Sequence, residues 1–343
     1  MKNFCVFFGA AALLVSCGGC SLDSGPDGDA AYTFLSYNVC NLFDDAADGT
    51  EYAEFDPSRG AWTSADYKKK LDAVGRVIAG AAGGGADFAA LVELENDRVL
   101  ADLCAGPLKE CGYRFGVTLP TDSSAIRVGF LSRFPVRDIR GHTPPSSGFH
   151  QRAIMEVTLD VGGEELVVFI CHFKAKTEGS QATEKSRILS ASTLARRIRE
   201  KSAFSSAEIL VLGDLNENAD EYERNGGTYI TALMPASAAL DAAGALESVY
   251  LTGEKSAASF AGPLVFYSPW LDDPPHPGSY YYHSSWETID HALVSPGLVD
   301  SRGLVFLSFG VVRHDFMLTS GGAPKKEFSD HLPLLVRLGK AEN

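Results

Sequence analysis

Six short stretches of this chain set acidic, amide or imidazole side chains against apolar runs. They are Asn38 in YTFLSYNV, Glu93 in DFAALVELEN, His172 in LVVFICHFK, Asp214 and Asn216 in ILVLGDLNEN, Asp290 in TIDHALV, and Asp330-His331 in SDHLPL. A carboxylate at the end of a buried strand is costly unless a metal, a water or a positive group meets it. Oxygen-rich donors without thiolate suit the hard cations Mg²⁺, Mn²⁺ or Ca²⁺ rather than zinc. A histidine beside a carboxylate is held in one tautomer and made more basic, which suits proton exchange near neutral pH. No G-x-S-x-G or similar nucleophile signature accompanies these residues, so they point to metal-assisted rather than covalent chemistry.

The elements that must carry these side chains are legible around residues 209–218. Four apolar residues, Ile209 to Leu212, read as a strand buried on both faces. If its alternation continues past Gly213, Asp214 and Asn216 point the same way. By the same rule Glu93 and Glu95 share a face, and either could be the site acid. Further strands are expected at residues 32–39, 87–94 and 125–131, with 288–294 and 333–338 as the last plain ones. Gly162-Gly163 joins two β-rich runs, 151–161 and 164–170, as a type I′ hairpin would. Ser64 reads as an N-cap, with Tyr67, Leu71, Val74 and Ile78 on one helix face. A second amphipathic helix spans residues 186–201, with Ile188, Ala191, Ala195 and Ile198 on its stripe. Residues 219–286 lose periodicity and read as a functional insertion. Its Tyr280-Tyr281-Tyr282 run could stack on bases or cover core. Lys174, Lys176 and Arg187 could form a basic rim or be solvated surface. In a layered fold strand ends gather on one edge, where sites form. Helices and hairpins mix along the whole chain, giving an α+β class and one domain over residues 31–340.

Composition is that of a globular protein, 45% hydrophobic and 22% charged over 343 residues, with a formal net charge of −14. That balance excludes steering of nucleic acid by overall charge, so any such partner needs a local basic groove or metal ions. Residues 1–16 read as a signal peptide with an apolar run too short to span a membrane. The run ends in Leu14-Val15-Ser16-Cys17, which is similar to a bacterial lipobox, with Cys17 as the lipidated residue and 17–30 as a flexible tether. The expectation is an exported, monomeric protein anchored by lipid to a bacterial membrane. Cys104 and Cys111 are close enough in sequence to pair in an oxidising compartment, and Cys40 and Cys171 read as buried thiols.

Taken in order, the six motifs resemble the endonuclease/exonuclease/phosphatase superfamily, the fold shared by DNase I, abasic-site endonucleases, inositol polyphosphate 5-phosphatases and bacterial sphingomyelinases. The resemblance covers residues 32–338 and implies a four-layer α/β sandwich of two mainly antiparallel sheets packed face to face and flanked by helices. It implies that Glu93, supported by Asn38 and Asp330, holds the metal, Mg²⁺ or else Mn²⁺ or Ca²⁺. Asp214, with Asn216 beside it, would orient or deprotonate the attacking water. His331 would act at the scissile phosphate with Asp290 as its carboxylate partner. His172 would touch the phosphate, and Arg152 would bind it. The implied activity is in-line hydrolysis of a phosphodiester, with nucleic acid as substrate, because HFKAK and the arginine-bearing helix after it resemble secreted bacterial endonucleases. A phosphatase or phospholipase C-like enzyme acting on inositol phosphate or sphingomyelin is the alternative, for which residues 260–271 would be a candidate membrane-inserting segment. A non-catalytic surface lipoprotein of the same fold is the contrasting class.

Overall fold

The structure, a computed structural model, describes residues 31–121, 124–201, 207–238, 248–272 and 278–342. The signal peptide, Cys17 and the tether lie outside them. Among the described residues the first sheet runs, edge to edge, β15 (Leu304–Val311), β16 (Leu334–Lys340), β1 (Tyr32–Leu42), β2 (Phe88–Leu94), β4 (Arg127–Ser132), β3 (Phe115–Thr118). The second runs β5 (Val136–His142), β6 (Ile154–Val161), β7 (Glu164–His172), β8 (Ile209–Asp214), β14 (Asp290–Val294), β11 (Leu264–Tyr267), β10 (Val249–Thr252), β9 (Leu233–Pro235). A small ribbon pairs β12 (Tyr280–Tyr282) with β13 (Ser285–Glu287). Helices α1 (Ser64–Gly80), α2 (Asp97–Ala105), α3 (Ser180–Lys201) and the single turn α4 (Glu221–Arg224) complete the frame.

The layering follows from alternation along each strand. Phe34 of β1, Phe88, Ala90 and Val92 of β2, and Leu210 and Leu212 of β8 meet between the sheets. Their neighbours Leu35, Ala89 and Leu91 face Leu71, Val74 and Ile78 of α1. Ile209 and Val211 face Ala191, Leu194, Ala195 and Ile198 of α3. The result is the expected four-layer sandwich, with both strand faces buried.

Local chemistry matches the sequence reading with small displacements. The hairpin turn between β6 and β7 has φ of 61° at Gly162 and 97° at Gly163, as type I′ requires. The α1 cap is Thr63, one residue earlier than expected, in a reciprocal capping box with Asp66. Helix α3 starts at Ser180 rather than at residue 186. Outside residues 219–286, strands β3, β5 and β15 had no clear signal, so residues 288–294 and 333–338 are not the last plain strands: β15 lies between them. Residues 219–286 are not a loop set outside the scaffold, because they supply β9, β10 and β11 to the second sheet. The suggested membrane-inserting segment is core: Leu264, Phe266, Tyr267 and Trp270 are buried. Cys104 and Cys111 are free thiols, and Cys40 is only half-buried.

One buried acid outside the motifs gives a pH-dependent prediction. Glu208, just before β8, accepts from the Leu304 amide at 2.7 Å while its Oε2 is buried without a partner. Burial pushes its carboxyl up to about 7, with Glu164 and Asp300 adding to the effect. A carboxyl whose folded pKa lies above its unfolded value costs nothing below the unfolded pKa and destabilises progressively as pH rises through the folded one. Glu208→Gln therefore raises the melting temperature at pH 8 relative to wild type by a few degrees, on the order of 1–2 kcal/mol after screening. The advantage shrinks at pH 5. A gain independent of pH, read by paired thermal melts, would contradict the assignment.

Candidate active site

The strand directions bring the six motifs together. β1 runs parallel to β2 and β7 parallel to β8, so Asn38, Glu93, His172 and Asp214 all stand at the same ends of their strands. β14 and β16 run antiparallel to these, so Asp290 opens β14 and Asp330-His331 precedes β16 at that same edge. Registry is close: Asp214 pairs with His172 on one side and with Asp290 on the other.

The chain bends sharply where three of the motifs leave their strands, at Cys40-Asn41, Glu93 and Asn216. Glu93 has a φ of 68° and interrupts the register of β2 between Val92 and Leu94. Such a conformation costs a non-glycine residue about 1–2 kcal/mol. It is held by Asn38 Nδ2 donating to Glu93 Oε1 at 3.0 Å and the Asn41 amide donating to Oε2 at 2.9 Å. Alternation therefore fails here. Glu93 turns into the site, while Glu95 turns away, buried, to accept from the Asp44 amide at 2.6 Å. Asn216 likewise has a φ of 52°, so it does not share Asp214's strand face; it reaches the cavity from the turn, donating to Phe173 O at 3.2 Å. Gly213 is required: a Cβ there would lie 2.0 Å from Cys171 O.

These residues surround a cavity of about 570 Å³ lined by Glu93, Arg152, His172, Asp214, Asn216, Tyr280, Asp330 and His331. His331 Nδ1 lies 2.8 Å from Asp290 Oδ2, which also accepts from Ser279 Oγ at 2.6 Å. His331 Nε2 faces inward, 4.0 Å from Asp214 Oδ2 and 3.8 Å from Asp330 Oδ1. His172 Nε2 lies 3.7 Å from Glu93 Oε1 and 3.8 Å from Asp214 Oδ2. Arg152 lines the wall and donates to Phe173 O at 3.1 Å.

Electrostatics separate the two histidines. Burial works against protonating His331, but the carboxylates of Asp290, Asp214 and Asp330 overcome it and raise the imidazole to about 10. Burial, with the positive charges of Arg152 and His331, holds His172 neutral, well below its ordinary value. Asp214 is pushed up to about 7 by burial and by the charge on Asp290. An acid so perturbed, in contact with a protonated imidazole, is poised for proton transfer near neutral pH.

The donor set fits a hard divalent cation. Glu93 and the half-exposed Asp330 present carboxylates to the cavity, and the neighbouring Asn41 Oδ1 is a buried oxygen with no hydrogen-bond partner. Asn38 is a different matter. Its Oδ1 accepts from the Cys40 amide at 2.9 Å and its Nδ2 donates to both Glu93 and Asp214, at 3.0 and 3.1 Å. Ionised carboxylates only accept, so the amide nitrogen faces them. Asn38 therefore bridges the two acids in this structure. Asp214, Asp290 and His331 bring ligand-type atoms within 4.8 Å of one another, and the hydrogen bond of His331 Nδ1 to Asp290 gives an arrangement that can pass a proton between acid and imidazole.

Sequence reasoning missed Ser279 and gave Tyr280, within its aromatic run, no place in the site. Tyr280 stacks on the His331 ring at 4.5 Å between centroids and bridges its backbone, so the first member of the run backs His331 while Tyr282 is exposed. Arg187 is no basic rim but fully buried between Glu184 and Glu217. Lys176 is tied to Glu221 at 2.6 Å. A second acidic group brings Asp48 and Glu51, in the loop after β1, close to Glu95 after β2.

A family model described as the endonuclease/exonuclease/phosphatase family matches residues 33–234. A search among curated proteins finds no match. Solved structures share the fold at low identity. D. rerio TDP2, complexed with a single-strand DNA product, is 13% identical over 91% of this chain and 100% of its own, with a TM-score of 0.55. An endonuclease/exonuclease/phosphatase family protein from Bacteroides thetaiotaomicron is 15% identical over 92% and 99%, with a TM-score of 0.53. The human Nocturnin catalytic domain with bound sulfate is 14% identical over 91% and 96%, with a TM-score of 0.52.

Proposed function

Since the chain belongs to the endonuclease/exonuclease/phosphatase family, whose enzymes are divalent-metal-dependent hydrolases of phosphoester bonds, we propose that it is a nuclease of the bacterial cell envelope. The observation that carries this reading is the Asp290–His331 pair facing Asp214 across a polar cavity, with neutral His172 and Arg152 on its walls. When bound by Glu93 and Asp330, a divalent cation, Mg²⁺ by preference, would neutralise phosphate charge and polarise the P–O bond. Asp214 orients the attacking water and takes its proton, and Asn216 fixes the turn that holds Asp214 in place. The cationic imidazole of His331, locked by Asp290 and Tyr280, donates to a non-bridging phosphate oxygen where charge develops. His172 donates a second hydrogen bond from Nε2, and Arg152 supplies the permanent positive charge. As the water oxygen bonds to phosphorus the P–O bond to the leaving group breaks and the departing oxygen takes its proton from solvent, so no covalent intermediate is needed.

The D. rerio TDP2 complex with single-strand DNA makes nucleic acid the first substrate to try. The burial of residues 264–270 removes the one segment that favoured a lipid substrate. The phosphatase or phospholipase C-like reading keeps the same site chemistry, and the non-catalytic reading requires that a complete proton relay serve no turnover. Export and anchoring through Cys17 belong to the proposal, as does a monomeric state; no helix among the described residues is long and apolar enough to cross a membrane.

The test uses full-length protein in mild detergent with plasmid DNA, single-strand DNA, RNA, sphingomyelin and inositol polyphosphates, each with Mg²⁺, Mn²⁺, Ca²⁺ or EDTA. The expected result is cleavage of nucleic acid that EDTA abolishes and Mg²⁺ restores. Turnover of lipid or inositol phosphate with intact nucleic acid moves the protein to the second reading. No turnover of any substrate with any metal supports the non-catalytic one.

A further inference from the structure

The catalytic cavity does not end at Arg152. The same side chain lines an adjoining cavity of about 760 Å³, whose other walls include Thr50, Tyr52, Arg127, His150 and Lys174. The two cavities differ sharply in charge. The first carries the carboxylates of Glu93, Asp214, Glu221, Glu287 and Asp330, whereas the second is lined by no carboxylate among the described residues. Three permanent cations and an imidazole converge there in a chain whose formal net charge is −14.

Two of these cations have unused donors. Among the described residues, the Nε of Arg127 and the Nε of Arg152 are each buried without a hydrogen-bond partner. A buried N–H left unmade costs about 1–3 kcal/mol, more when charged, and an anionic oxygen would recover it with a charge-assisted bond. Lys174 is only partly committed: it meets Glu178 at 2.9 Å and lies 5.3 Å from the Phe149 ring centroid. Asp48 acts on Arg127 from the neighbouring loop without an ion pair. The Thr50 hydroxyl is engaged by Asp48 at 2.7 Å, which fixes that wall.

We propose that this second cavity binds a further phosphate of the substrate, so that the enzyme prefers phosphoesters bearing a neighbouring phosphate over isolated ones. The inference deepens the phosphoesterase reading and rests on it. A nucleic-acid strand supplies such a phosphate at every step; a polyphosphorylated inositol headgroup supplies the same chemistry. The arrangement also explains how an acidic protein can hold a polyanion: the basic groove is local and begins at the one residue, Arg152, that belongs to both cavities.

Binding rather than turnover tests it. Full-length protein with Mg²⁺ is titrated calorimetrically with thymidine 3′,5′-bisphosphate against thymidine 5′-phosphate, and with inositol bisphosphate against inositol monophosphate. Wild type is expected to bind at least one bisphosphate on the order of tenfold tighter than its monophosphate, and Arg127→Ala is expected to bring that ratio close to one. Lys174→Met, at the opposite wall, serves as the second variant should Arg127→Ala fail to fold. Discrimination with the nucleotide pair identifies a nucleic-acid source, and discrimination with inositol alone identifies a headgroup. A wild-type ratio near one in both pairs, or a full ratio retained in both variants, overturns the subsite. Failure of the nuclease reading shows separately, as absence of strand cleavage.

Discussion

His331→Ala is expected to lower kcat on any phosphodiester substrate by about 10³-fold or more, the range in which a lost general acid or proton-sharing group falls. The geometry gives the reason. Both nitrogens of His331 face acids: Nδ1 is pinned to Asp290 at 2.8 Å and Nε2 looks into the cavity toward Asp214 and Asp330. Its charge is maintained against burial by three carboxylates, so alanine removes a fixed cation from the point where negative charge accumulates. Asp290→Asn is the informative companion. It preserves shape and leaves Ser279 a partner, but it withdraws the charge that keeps the imidazole protonated. Its kcat should fall less than that of His331→Ala, and the alkaline limb of its pH–rate profile should move to lower pH, because the imidazole then loses its proton sooner. The two substitutions combined should cost little more than His331→Ala alone, since both act on one unit. Additive losses from the pair would show that Asp290 and His331 work independently and would remove the relay from the mechanism.

How far the sequence could be read depended on whether a residue obeyed its element's period. The central strand was legible as an apolar run buried on both faces, with Leu210 and Leu212 between the sheets and Ile209 and Val211 against α3, and the site edge was legible because each motif sits at a strand end. The choice between Glu93 and Glu95 was not, since alternation gives both one face. It is decided by a left-handed bend at Glu93, stabilised by the amides of Asn38 and Asn41 from another strand. That is a long-range cause with no local signature. The residue type of Asn38 was visible too, but the contact of its amide with both Glu93 and Asp214 joins strands of two different sheets and has no local signature. Strands β9, β10 and β11 were hidden because they are three or four residues long, below the length at which periodicity can be seen. Tyr280 was flagged as an aromatic run, but only the pairing of its backbone with His331 gives it a role.

Arg187 is the residue whose reading changed most, and it carries the second large prediction. Its guanidinium is fully buried and each nitrogen is used: Nε meets Glu217 at 2.9 Å, Nη2 meets Glu184 at 2.7 Å and Ser180 O at 2.6 Å, and Nη1 donates to Thr183 Oγ1 at 2.8 Å and Lys174 O at 3.2 Å. The two acids go on to accept from the amides of Leu233 and Ala232. One side chain thus ties α3 to the Asn216–Asn218 turn, to the segment after His172 and to the start of β9. Arg187→Ala leaves Glu217, whose carboxyl burial already pushes well above its usual range, without its counter-charge. Breaking a buried pair in this way costs about 3–5 kcal/mol, which denaturant titration would read as a large fall in midpoint. Lysine cannot replace the planar fork and should rescue little. Activity per folded molecule should also fall, by roughly 10²-fold for a displacement of about an ångström, because Lys174 follows Phe173, whose carbonyl anchors both Arg152 and Asn216. If Arg187→Ala lost stability but kept full kcat at a temperature where it remains folded, the network would be scaffold alone. If both fall together, the buried arginine is what holds Asp214, Asn216 and Arg152 in one geometry.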